Sequence, residues 1–160
     1  MIALAAHGVA AEPLRGEDAA GDVARGSPAV HPDDTTEIDI LAFQVGPENS
    51  THVWVSLMLA RVQTEWNPAV AHEHFVEMTL DKTGETLGAR FALGMDGWVF
   101  NYRVSGGSRS VGLLTEGTVN GTTLAMAFPK SAMAGAGDGD TLSELRARTR
   151  LGYETYYKVR

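Results

Sequence analysis

Two dipeptides in the second half of this chain limit its fold more than any other feature. Phe91-Ala92-Leu93-Gly94-Met95 runs through Asp96-Gly97 into Trp98-Val99-Phe100-Asn101-Tyr102, and Leu113 to Val119 runs through Asn120-Gly121 into Thr122 to Phe128. Asp-Gly or Asn-Gly between alternating apolar residues marks a hairpin, because a type I′ turn needs positive φ at both central residues. A two-residue loop at Asp96-Gly97 predicts Leu93 opposite Phe100, Phe91 opposite Tyr102 and Ala89 opposite Val104, with all six on one face. At Asn120-Gly121 the same rule predicts Val119 opposite Thr122, Gly117 opposite Leu124, Thr115 opposite Met126 and Leu113 opposite Phe128. Thr118 then faces Thr123 on the outside.

The remaining strands follow from the same period of two. Ile38 to Val45 predicts a strand whose adjacent Ile40-Leu41 pair fits a bulge, and Gly46 to Ser50 predicts a turn. Val53, Val55, Leu57 and Leu59 share one face of a second strand, with Trp54, Ser56, Met58 and Ala60 on the other. A loop containing Asn67-Pro68 spans residues 62–71, and His72 to Leu80 forms a strand closed by the turn Asp81-Lys82-Thr83-Gly84. Ser131 to Ala136 predicts one helical turn. Leu142, Leu145, Ala147, Thr149, Leu151 and Tyr153 line a last strand, with Arg146, Arg148 and Arg150 on its opposite face. Short strands at regular spacing, with no longer helical period, predict an all-β antiparallel sandwich of the immunoglobulin or jelly-roll kind. A closed barrel is the alternative.

At 160 residues the chain suits one domain. Residues 1–11 read as the remnant of an export signal, apolar and ending in small residues, which predicts a secreted or extracytoplasmic protein. Residues 12–36 read as an extended acidic lead-in, and residues 37–160 as the sandwich. No cysteine is present, so disulfides and thiolate chemistry are excluded. A net charge of -7, with three lysines against ten arginines, argues against nucleic acid as a partner. No stretch approaches the roughly 20 apolar residues of a membrane span.

The segment from Asp18 to about Tyr153 resembles secreted prokaryotic β-sandwich domains of the carbohydrate-binding-module family 9 and DOMON group. The matching residues are Asp18-Ala19-Ala20-Gly21-Asp22, the Ile38-Asp39-Ile40 strand with its long successor, Phe128-Pro129-Lys130-Ser131, and Gly139-Asp140-Thr141-Leu142. This resemblance implies a non-catalytic module that binds sugar, binds heme, or acts at the cell surface.

Several constellations are candidates for a site. Asp18, Asp22 and Asp39, near Asp33, Asp34 and Glu37, offer the hard oxygen ligands that calcium takes; a solvated acidic loop whose side chains cap turns is the other reading. His72 and His74 share one strand face and offer two imidazoles to a metal, with His52 or His31 to complete the set, or else they are two exposed strand histidines. A heme would pair His74 with Met78 or Met95. Trp66 and Trp54 are the candidates for stacking a sugar ring, with a core position as the other reading of each, whereas Trp98 and Tyr102 read as core. The arginine row would grip an anionic polymer, or form a solvated face paired with acids such as Glu77. Asn49-Ser50-Thr51 and Asn120-Gly121-Thr122 fit the glycosylation pattern. No Gly-x-Ser-x-Gly elbow, zinc-protease motif or phosphate-binding glycine loop is present, which predicts a binding module rather than an enzyme. The expected partner is an extracellular glycan, with a metal- or heme-binding module or a purely structural domain as the alternatives.

Overall fold

Alternating apolar side chains need a second apolar face to cover them, and here two antiparallel sheets cover each other. A computed structural model describes residues 2–3, 14–17, 24–25, 39–68, 72–106, 109–133, 140–151 and 154–158. Its strands are β1 (Ile2–Ala3), β2 (Leu14–Glu17), β3 (Ala24–Arg25), β4 (Ile40–Glu48), β5 (His52–Leu59), β6 (His72–Leu80), β7 (Glu85–Gly94), β8 (Gly97–Gly106), β9 (Arg109–Leu114), β10 (Gly117–Asn120), β11 (Thr123–Pro129), β12 (Thr141–Leu151) and β13 (Glu154–Lys158). Among the described residues the larger sheet has eight strands, ordered β3-β13-β12-β6-β7-β8-β9 with β1 also on β12, and the smaller has five, ordered β10-β11-β5-β4-β2. The fold is therefore the predicted sandwich, and its strands β2 and β3 come from the lead-in. No helix of the described residues is long and apolar enough to cross a membrane.

The core lies between the sheets. Val53, Val55, Leu57 and Leu59 of β5 point into it, as do Val76, Met78 and Leu80 of β6 and Phe91 of β7. Tyr102 packs on Phe128 with ring centroids 5.3 Å apart, joining the two sheets. Leu41 bulges out of the β4–β5 ladder, as the Ile40-Leu41 pair predicts. A further irregularity between Ser143 and Arg146, where Glu144 takes φ 50°, explains why the inward set of β12 passes from Leu142 to Leu145.

Both hairpins depart from the expected register by two residues. β7 and β8 pair Phe91 with Phe100, Leu93 with Trp98 and Ala89 with Tyr102, so the loop is Met95-Asp96. The positive φ falls on Gly97, at 113°, and not on Asp96. One reason lies in the side chains: the predicted register sets Arg90 opposite Arg103, whereas the observed one sets Arg90 opposite Asn101, with a 3.1 Å hydrogen bond from Nη1 to Oδ1. A slip of two preserves every face, so all six predicted core residues stay buried. In the second hairpin Val119 pairs with Leu124 and Asn120 with Thr123, which makes the loop Gly121-Thr122. Gly121, at φ 58°, takes the first central position, as in a type II′ turn.

The stretch from Leu113 to Val119 is not one strand. It leaves the larger sheet after Leu114 and enters the smaller at Gly117. Between them the Thr115 amide donates to the Phe100 carbonyl of β8 at 3.0 Å, and the Glu116 carbonyl accepts from Ala127 of β11 at 3.0 Å. Backbone groups are thus satisfied by both sheets in turn. Gly46 to Glu48, expected as a turn, belong to β4. The turn lies at 49–51, where Asn49 Oδ1 accepts from the Thr51 and His52 amides. The helical turn after β11 is the short 3-10 segment Lys130–Ala132, and residues 134–136 lie outside the described residues.

Candidate functional site

The outer face of the larger sheet carries a network of charged and polar side chains. On β6 the even-numbered residues point inward, which leaves Glu73, Phe75 and Glu77 outside. Pairing with the neighbouring strands assembles side chains far apart in sequence into rows. One row runs Arg150, Glu73, Ala92, Val99; the next runs Arg148, Phe75, Arg90, Asn101, Leu114; a third runs Arg146, Glu77, Gly88, Arg103, Gly112.

Two glutamates hold four arginines in these rows. Glu73 is buried beneath Arg90 and Arg150, one carboxylate oxygen bonding each guanidinium. Burial alone would raise its pKa, but hydrogen bonds and charge from the two arginines outweigh that and hold it below the ordinary value. Glu77 accepts from Arg146 Nε at 2.9 Å and from Arg148 Nη2 at 3.3 Å. Arg148 also lies over Phe75, its guanidinium carbon 4.0 Å from the ring centroid. With Arg103 these three rows carry five arginines and these two glutamates.

The third row contains two glycines, and they leave a groove. Gly88 and Gly112 have no side chain to fill the space between Arg103 and the row of Phe75, Arg90 and Asn101. The hollow measures about 390 Å³ and is bordered by Arg148 and Arg150. Such a surface can receive oxyanions through planar guanidinium forks and hydroxyls through Asn101.

Apart from the arginine row, the residues proposed from the sequence lie elsewhere. Trp66 is exposed in the loop after β5, at 43%. Trp54 is half-buried on the outer face of the smaller sheet, opposite Ala127. The two stand on separate elements and form no common platform. Asp18 and Asp22 lie outside the described residues, as do Asp33, Asp34, Glu37, His31 and Tyr153. Asp39 is buried at the head of β4, its carbonyl accepting from the Ala60 amide, rather than displayed in an open loop.

His72 and His74 are not exposed strand histidines: they point into the sandwich and are 6% and 0% accessible. Their rings meet edge to face at 5.1 Å, and His74 stacks on Trp98 at 5.7 Å. Trp98 in turn donates Nε1–H to the Gln63 carbonyl at 3.1 Å, which ties the loop over the cluster. Burial and the neighbouring His72 push His74 well below the ordinary imidazole range. Met78 is core, and Met95 is exposed in the hairpin loop. Among the described residues, no group of three or more His, Cys, Asp or Glu could hold a metal ion.

Phe75, Arg90, Asn101, Arg103 and the two glycines were not visible as a site in the sequence, although Arg146, Arg148 and Arg150 were. The missing signal was register. Fold and face together define an antiparallel β-sandwich with a cationic groove on one sheet. Comparison with protein-family models, curated proteins and solved structures returns no match.

Proposed function

We propose that this chain is a non-catalytic, extracytoplasmic β-sandwich module that binds carbohydrate along the outer face of its larger sheet. The observation that carries this reading is the groove at Gly88 and Gly112. It is an open furrow rather than a closed pocket, which suits a chain passing over the sheet. Its polar side chains are also held in place before any ligand arrives, which lowers the entropy cost of binding. Asn101 and the guanidiniums supply the directional hydrogen bonds that sugar hydroxyls need. Trp66 and Trp54 lie away from this furrow and are assigned no role in it.

A glycan array probed with the purified protein, with Gly88→Phe beside it, tests the proposal. Binding to a defined glycan subset that Gly88→Phe loses, at unchanged melting temperature, supports it. Silence across the array would count against carbohydrate as the ligand.

A further inference from the structure

We infer that the ligand of this face is an anionic polysaccharide, its carboxylate or sulfate groups received by Arg90, Arg103, Arg148 and Arg150. The inference rests on the carbohydrate reading above and names the class of sugar.

Charge is the first argument. The whole chain carries -7, yet three adjacent rows of this face hold five of its ten arginines, four of them bonded to the two glutamates there. Each carboxylate is shared by two guanidiniums, so among the described residues each cluster carries two positive charges to one negative. A guanidinium has five N–H donors, more than these glutamate contacts occupy. The pairs therefore act as cationic forks whose orientation is already fixed. Glu73 and Glu77 are positioning residues here.

Spacing is the second. Arg148 and Arg150 are two residues apart on one strand, about 6.6–7 Å, and Arg148 and Arg90 are two strands apart, about 9.5 Å. A lattice of cations at these intervals matches a repeating polyanion better than one small anion. Its boundary is marked as well: Glu144, bonded to Thr79 at 2.8 Å, places negative charge in the adjoining hollow beyond Arg146. An anionic chain is repelled there and kept to the Gly88 furrow.

Nucleic acid, the other common polyanion, fits less well. Single strands stack bases on open aromatic faces. Phe75, an aromatic of this row, is covered by Arg148.

Affinity electrophoresis tests the inference with four probes: polygalacturonate, chondroitin sulfate, neutral dextran, and single-stranded DNA as soluble competitor. Gly88→Glu is the diagnostic variant. A Cβ at Gly88 meets nothing nearer than 3.9 Å, so the new carboxylate enters the furrow without disturbing the sheet. Retardation by polygalacturonate or chondroitin sulfate, weakened by salt and reduced at least about tenfold by Gly88→Glu, is the expected result; the two gels separate carboxylate from sulfate recognition. Should Gly88→Glu unfold, Arg103→Gln, at an exposed position, serves instead. Retardation by dextran alone overturns the anionic assignment and leaves the carbohydrate reading standing. No retardation in any gel sinks both. Competition by DNA as strong as by the polysaccharides overturns the assignment in favour of general polyanion binding.

Discussion

The Nδ1 of His74 and the Oγ1 of Thr149, cross-strand partners in β6 and β12, stand 2.7 Å apart with neither residue exposed to solvent. A buried imidazole is kept neutral by the cost of charging it away from water, and His72 at its edge adds to that cost. The folded state thus has the lower pKa. As pH falls below about 6.5 the unfolded chain takes up a proton that the folded chain refuses, so stability declines; the decline ends only at the depressed folded pKa. We expect the unfolding free energy of His74→Gln to fall less between about pH 7 and pH 5 than that of the parent protein. Parallel urea titrations at the two pH values measure this, and identical slopes in both proteins would remove His74 as the cause. Thr149→Val, which keeps the shape and deletes the hydroxyl, should cost about 1–3 kcal/mol at neutral pH by leaving Nδ1 unmatched.

Glu73 titrates in the opposite sense. Its carboxylate is held below the ordinary range, so the stability it contributes is complete above about pH 4.5 and is lost as pH falls through the lower folded value. Glu73→Gln leaves Arg90 and Arg150 facing one another without a counterion. Both guanidiniums are partly open to water, with side chains 40% and 43% accessible, so screening limits the damage to about 1–2 kcal/mol at neutral pH. Chemical denaturation of this variant checks the magnitude. The parent and variant curves should converge as pH falls below the ordinary carboxylate range, where the unfolded chain takes up a proton that the folded chain resists; a gap that stays constant on acidification would contradict the ion-pair account.

How far the sequence reaches is clearest in β6 to β8. The alternation of β6 marks its ends and the side that Val76, Met78 and Leu80 share, because period two is a property of single strands. Register is a property of pairs, and the Asp-Gly and Asn-Gly dipeptides misplace it by two in both hairpins. The faces survive such a slip, so Phe91, Phe100 and Tyr102 are correctly read as core. Row membership does not survive it: Arg90 moves from Arg103 to Asn101, and Gly88 becomes the neighbour of Arg103. The groove is built from row membership and stayed hidden, although the like-charge clash of Arg90 with Arg103 was a legible warning. The buried His72–His74 pair was missed for another reason, since polar residues on an inward face look like surface until Trp98 and Thr149 are brought over them.

The first hairpin offers a direct test of its register. Positive φ is confined to Gly97, which has open space around a would-be Cβ, so a side chain there is penalised by backbone strain alone. Gly97→Ala is expected to cost about 1–2 kcal/mol. Asp96→Ala, in an exposed loop position with φ in the ordinary region, should change stability by less than about 0.5 kcal/mol. Thermal melts of both variants decide the matter: equal losses would point to a type I′ turn at Asp96-Gly97 and to the register that the dipeptide suggests.

Gly117 opens β10 just after the chain has crossed between the sheets, and the ring of Phe100 occupies the place where its side chain would be. Only glycine lets β10 lie this close to β8. An added methyl must push the ring or the strand, and the Thr115–Phe100 and Glu116–Ala127 backbone bonds on either side of the crossing resist both movements. Gly117→Ala should therefore destabilise by about 1–3 kcal/mol, as overpacked cores do. The loss should be recovered in part by Phe100→Leu, which clears the ring at the cost of some core burial. A double-mutant cycle measured by urea unfolding gives the coupling. Additive losses would show that Gly117 matters for its backbone freedom and not for its contact with Phe100.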